Sequence, residues 1–163
     1  MKWNEVGSQV CSVARALSVF GDRWTLLVLR EAFAGATRFE EFADGVAASR
    51  PTVTDRLERL TRLGVLEAEA YQTNPVRRDY RLTEKGADLL PVLLTIQSWG
   101  DRWLDDGSGP PTELIHGACG KATKPKVVCA QCGEPLGTDI SPRYRAGSWA
   151  KDRGTIHVRD AGG

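Results

Sequence analysis

The chain has 163 residues, 41% hydrophobic and 26% charged, and its 22 Lys and Arg against 21 Asp and Glu give a formal net charge of +1. These values exclude wholesale disorder and a fibrous repeat, and they fit one domain or a small domain with an appendage. No apolar run approaches the ~20 residues of a membrane helix, and the stretch from Met1 to Glu5 lacks the apolar core and cleavage site of a signal peptide, so a cytoplasmic protein with no membrane partner is expected.

In chain order, Ala14, Leu17 and Phe20 stand at helical spacing and predict a first helix. Gly21 punctuates it. Asp22 is placed to cap a second helix that carries Trp24, Leu26, Leu27, Leu29 and Phe33 and ends at Gly35. A short third helix holds Phe39 and Phe42. A fourth begins at Ser49, with Pro51 in its first turn, and runs to Gly64. Val53, Leu57, Leu60 and Leu63 form its buried stripe, and Gly64 suits a left-handed position just past its end. Two strand-like runs, 65–71 and 78–82, flank a turn over 72–77 that contains Asn74-Pro75. Thr83 then caps a long helix from residue 84 to about residue 104, which Pro91 should kink mildly. Residues 105–111, Asp-Asp-Gly-Ser-Gly-Pro-Pro, break any helix and read as a linker between a domain over 1–104 and a segment over 112–163. That segment is rich in Gly, Pro, Lys and Cys and poor in large aliphatics, so it cannot build a sizeable core unaided. It shows no periodicity from Ser141 on, and Ala161-Gly162-Gly163 is expected to fray.

Helix, helix, short helix, turn, capped helix, hairpin, helix is the layout of a winged helix-turn-helix: a mainly α fold with a small β wing (α+β). The fourth helix buries one face and turns Arg50, Thr52, Thr54, Asp55, Arg56 and Arg59 outward. A helix fits the major groove, and the planar arginine fork matches guanine edges and phosphates. An ordinary solvated face would look the same on this helix alone. The wing adds Arg77, Arg78 and Arg81, and residues 48–86 hold eight Lys and Arg against six Asp and Glu, which together with the element order favours duplex DNA.

These stretches make the chain resemble the HxlR-type family of bacterial winged helix-turn-helix transcription regulators over roughly residues 10–104. The resemblance rests on Cys11-Ser12-Val13-Ala14-Arg15, Gly21-Asp22-Arg23-Trp24-Thr25, Arg38-Phe39-Glu40-Glu41-Phe42, Ser49-Arg50-Pro51-Thr52-Val53, Tyr80-Arg81-Leu82-Thr83-Glu84-Lys85-Gly86 and Leu89-Leu90-Pro91-Val92-Leu93. It implies a cytoplasmic homodimer that represses or activates genes on operator DNA, read here first as a repressor. The residues it implies as DNA-facing are Arg38, Ser49, Arg50, Thr52, Thr54, Arg56 and Arg59, with Arg77 and Arg78 on the wing. Asp55 ranks lower because a carboxylate repels phosphate.

On the last helix Leu89, Val92, Ile96, Trp99 and Trp103 repeat at 3, 4, 3, 4, which is a dimer seam. Two-fold pairing would set the recognition helices one DNA turn apart and require an inverted-repeat operator. In the tail, His116-Gly-Ala-Cys119 and Cys129-Ala-Gln-Cys132 share a two-residue gap, and each second Cys is followed by Gly. That is the pattern of a zinc ribbon whose closed, structural site takes one histidine and three cysteines; incidental thiols or a Cys129–Cys132 redox pair are the alternatives. The minimal family pattern stops before this tail. Cys11 opens the first helix at a position that some members of the resembled family use to sense oxidants or electrophiles; a small buried thiol is the alternative. No Ser/His/Asp set, paired-carboxylate motif or Gly-rich phosphate loop appears, and His157 stands in an unpatterned stretch, so the chain is read as a non-enzyme. The competing readings are a winged-helix protein-interaction module without DNA binding and a small zinc protein of other function.

Overall fold

Side-chain caps set most of the helix starts. The structure, a computed structural model, describes residues 7–143. His157 and the Ala161-Gly162-Gly163 end lie outside the described residues, as does the stretch from Met1 to Glu5. Helix α1 (Ser12–Phe20) follows Cys11, whose Sγ accepts the Ala14 N–H at 3.5 Å. Helix α2 (Arg23–Phe33) follows Asp22, whose carboxylate accepts from the N–H groups of Trp24 and Thr25 at 3.1 and 3.0 Å. Before α3 (Phe39–Val46), the Glu41 carboxylate reaches back to the N–H groups of Thr37 and Arg38 at 2.7 and 2.9 Å. Helix α4 (Arg50–Arg62) starts at Ser49, whose Oγ accepts from the Thr52 N–H at 3.4 Å. Just past it, Gly64 takes φ +67°, the left-handed turn expected there.

Strands β1 (Leu66–Thr73) and β2 (Val76–Leu82) pair antiparallel from Leu66↔Leu82 out to Thr73↔Val76, with a bulge at Tyr71. The wing is therefore longer than expected, and its turn shrinks to Asn74-Pro75, joined by a cis peptide. Backbone pairing carries the exposed tip, where side chains on neither face are buried and no hydrophobic alternation marks the strands. The segment before α3 adds a third edge, since the Tyr80 N–H donates to the Thr37 carbonyl at 2.7 Å and Arg38 bridges Asp79.

The expected long helix after the wing is instead two helices, α5 (Glu84–Ala87) and α6 (Leu90–Trp103). Thr83 caps α5 as anticipated, its Oγ1 accepting from the Gly86 N–H at 3.1 Å. Pro91 does not kink a continuous helix. It sits in the first turn of α6, where a missing N–H costs no hydrogen bond.

The core joins α2, α3, α4 and the root of the wing. Val28, Leu29, Phe42, Val46, Val53, Leu57, Leu60, Val65 and Leu66 are buried. Full burial of each leucine side chain contributes roughly 2 kcal/mol. Tyr80 meets Phe42 edge to face, with centroids 6.1 Å apart, and ties the wing to α3. Thr25 is also buried, its hydroxyl donating to Asp22 Oδ2 at 2.5 Å. In the C-terminal segment β3 (Leu114–His116) pairs antiparallel with β4 (Lys121–Thr123), and Val128 bridges Pro135. Among the described residues, no helix is long and apolar enough to cross a membrane.

Candidate nucleic-acid interface

With Val53, Leu57 and Leu60 buried, the opposite ridge of α4 is fixed by helix geometry. Arg50, Thr54, Glu58 and Arg62 follow one another at four-residue spacing, and all are exposed. Beside this ridge lies the exposed outer part of the wing, with Arg77 and Arg78. Between them runs a cleft of about 880 Å³, lined by Arg38, Arg50, Arg62, Arg77, Arg78 and Tyr71 together with Glu40, Glu41 and Glu58. The cleft thus collects five guanidinium groups from three elements that are distant in sequence.

The guanidinium groups are partly ordered. Arg50 donates to both carboxylate oxygens of Glu40 at 2.6 Å each and lies over the Phe39 ring at 4.7 Å. The hydrogen bonds from Arg50 hold the Glu40 carboxyl below its ordinary range. Arg38 lies over the Tyr71 ring at 5.3 Å and approaches Asp79 at 3.9 Å, and its side chain remains largely exposed. Ser49 and Thr52 share a hydrogen bond between their hydroxyls at 2.8 Å at the start of α4, where Pro51 has no N–H and the Thr52 and Val53 N–H groups already bond Ser49.

Two expected DNA-facing residues are turned into the protein instead. Arg56 donates through Nε to Asp22 at 3.0 Å, pairs also with Asp55, and its side chain is only 23% exposed. Arg59 donates to the Ser18 carbonyl on α1, and its Nε is buried. The reason is angular: both sit on the flank of α4 nearest α1 and the start of α2, so their guanidinium groups close that seam rather than reach solvent. Asp22 therefore serves α2 as cap and α4 as counter-ion. Burial pushes its carboxyl upward, but the hydrogen bonds from Thr25 and the Arg56 charge outweigh that and leave it below its ordinary value. Conversely, Arg62, Glu58, Glu40 and Tyr71 belong to the site and were missed. The four-residue step from Arg50 would have found Arg62 and Glu58.

Along α6, Val92, Ile96, Trp99 and Trp103 are exposed, the two tryptophans at 58% and 61%. Leu89 departs from this set: it lies before α6 and packs against the protein's own core, since the turn after α5 points it toward α2. Helix α1 and the residues before it expose a second apolar stripe, Val10, Val13 and Leu17. Cys11 is half-buried at the α1 N-terminus, and the Arg15 guanidinium bonds Ser12 Oγ at 3.2 Å. His116 Nδ1 lies 3.4 Å from Cys119 Sγ.

Three packed helices, with the third laid open beside an arginine-bearing hairpin, define a winged helix-turn-helix of the transcription-regulator class. The HxlR-like helix-turn-helix family model matches residues 19–108, and the chain belongs to that family. It is 42% identical to an uncharacterized HTH-type transcriptional regulator, MT3179, of Mycobacterium tuberculosis (strain CDC 1551 / Oshkosh), over 86% of this chain and 89% of that one. Among solved structures it is similar to PA1607, described as a candidate transcription factor, with a TM-score of 0.76 and 32% identity over 88% of this chain and 99% of that one. It is also similar to the redox regulator HypR in its reduced form, with a TM-score of 0.51 and 30% identity over 55% of this chain and 90% of that one.

Proposed function

We propose that the chain is a DNA-binding transcription regulator that acts as a homodimer on an inverted-repeat operator, as a repressor. The observation that carries this reading is the cleft where the exposed α4 ridge meets the wing arginines. Arg50, Thr54 and Arg62 would face base edges, the Ser49 and Thr52 hydroxyls would reach a phosphate, and Arg38, Arg77 and Arg78 would follow the backbone. The bidentate Glu40 contact fixes the Arg50 fork in one plane, which suits it to a guanine edge once the carboxylate is displaced or shared. Val92, Ile96, Trp99 and Trp103 would bury against a second copy, each tryptophan removing roughly 200 Å² from water. Two-fold pairing through α6 would then set the α4 ridges ~34 Å apart.

Selection of binding sites from random duplex DNA tests this reading. It expects an enriched inverted repeat, bound with an affinity that falls steeply with salt. Failure to enrich any duplex, with α4 and the wing intact, would favour the protein-interaction reading.

Cys11 is proposed as the signal-responsive thiol. Its place at a helix N-terminus, and the similarity to a redox regulator, support this. Oxidation would join two Cys11 thiols across the dimer, or one to a small thiol, with loss of two electrons and two protons to a peroxide or quinone. Cys11→Ser should then hold operator DNA through oxidant treatment that releases the parent protein. Release of both alike would remove Cys11 from the role.

A further inference from the structure

The described part of the C-terminal segment has form without a core. From residue 105 to residue 143 every described residue is exposed except Gly109, Leu114, Pro125 and Cys129, and none of those four is buried. Strands of three residues do not hold themselves together in water. Yet the backbone is shaped twice in the same way. After His116, the Gly120 N–H donates to the His116 carbonyl at 2.7 Å and Gly120 takes φ +66°. After Cys129, the Gly133 N–H donates to the Cys129 carbonyl at 2.8 Å and Gly133 takes φ +77°. In both turns the residue at the first position and the cysteine at the fourth flank one tight bend that only glycine closes without strain.

Each bend gathers two donors. His116 Nδ1 and Cys119 Sγ stand 3.4 Å apart. At the second bend Cys129 and Cys132 stand at the same two positions, and the Cys129 N–H donates to the Glu134 carbonyl at 2.8 Å. Among the described residues no three donors are gathered into one site, so each bend is a half-site. The nine residues between Cys119 and Cys129 form a short tether, and closing a short loop costs little entropy.

We infer that the two bends close on a single Zn²⁺ ion, held by His116 Nδ1 and the sulfurs of Cys119, Cys129 and Cys132. On binding, the three thiols release three protons to solvent and the imidazole enters neutral, leaving the centre with a net charge of −1. All four positions come from protein, so the ion is structural and replaces the missing core. The half-site around β3 and β4 also borders a cleft of about 760 Å³ whose far wall is α6, with Gln97, Ser98, Asp101 and Arg102. Closing the metal site therefore orders the segment beside the helix proposed to pair the subunits.

The test uses the full chain. Metal analysis of the purified protein should give about one zinc per chain. Replacement by Co²⁺ should give thiolate-to-cobalt charge-transfer bands and the intense ligand-field bands of a tetrahedral site. Cys119→Ser, Cys132→Ser and His116→Ala should each bring the metal content close to zero. Their helical circular dichroism should remain, because residues 7–104 fold around a separate core, and limited proteolysis after residue 105 should quicken. A metal-free parent protein would overturn the inference. So would zinc retained in Cys119→Ser or His116→Ala, an octahedral cobalt spectrum, or one zinc shared by two chains. None of these readouts depends on DNA binding, so failure here and failure of the regulator reading are separable.

Discussion

Asp22 shows how much one side chain carries. Its carboxylate caps α2 through two N–H groups, accepts from the Thr25 hydroxyl, and pairs with Arg56 on α4. Asp22→Ala should cost about 1–2 kcal/mol of unfolding free energy, read from the urea midpoint, through loss of the cap and the ion pair. Because the Asp22 carboxyl is held below its ordinary value, the folded chain binds fewer protons there than the unfolded chain. Its contribution is complete above the ordinary carboxylate range and is lost as pH falls through that range toward the folded value. Asp22→Asn should therefore flatten the acid limb of a stability–pH curve below about pH 4, and an unchanged limb would contradict the assignment. A double-mutant cycle between Asp22 and Arg56 should give a coupling of about 0.5–1 kcal/mol, whereas two additive changes would show that Arg56 acts elsewhere. Gly86 makes a different demand, since a Cβ there would stand 2.2 Å from the Val65 carbonyl oxygen. Gly86→Ala should destabilise the chain by about 2 kcal/mol while leaving the α4 ridge untouched.

At the scale of elements, the proposed DNA contact divides between the wing and α4. Arg77 and Arg78 are exposed, and what they give the fold is backbone pairing with β1, which alanine keeps, so their replacement should be thermally silent. On the selected operator, Arg77→Ala and Arg78→Ala should each lower the slope of log affinity against log salt by about 1, with little change in which sequence is preferred. Arg62→Ala, on the α4 ridge, should instead relax preference at one base position or remove one phosphate contact. Arg56→Ala and Arg59→Ala should lower stability first. The elements and their caps were legible because Asp22, Ser49, Gly64 and Thr83 act locally and the stripe of Val53, Leu57 and Leu60 is periodic. The direction of Arg56 and Arg59 was not legible, because a neighbouring helix decides which flank of α4 is solvent. The break before Pro91 was missed for a similar reason: Pro is as welcome in a first turn as it is disruptive in an interior, and only packing of Gly86 and Leu89 chooses between them.

At the scale of the whole molecule, the fold leaves α6 with apolar side chains exposed along one stripe that none of the described residues covers. Trp99→Glu should convert the sedimenting species from dimer to monomer and weaken operator binding by about two orders of magnitude through loss of the second half-site. Unchanged mass together with unchanged binding would contradict pairing through α6. In the proposed function two α4 ridges meet one duplex from the same side. A hydroxyl-radical footprint of the protein on its selected operator tests that most directly. It should show two protected patches on one face of the duplex, centred about one helical turn apart and related by the dyad of the repeat. A single patch, or uniform protection regardless of sequence, would contradict it.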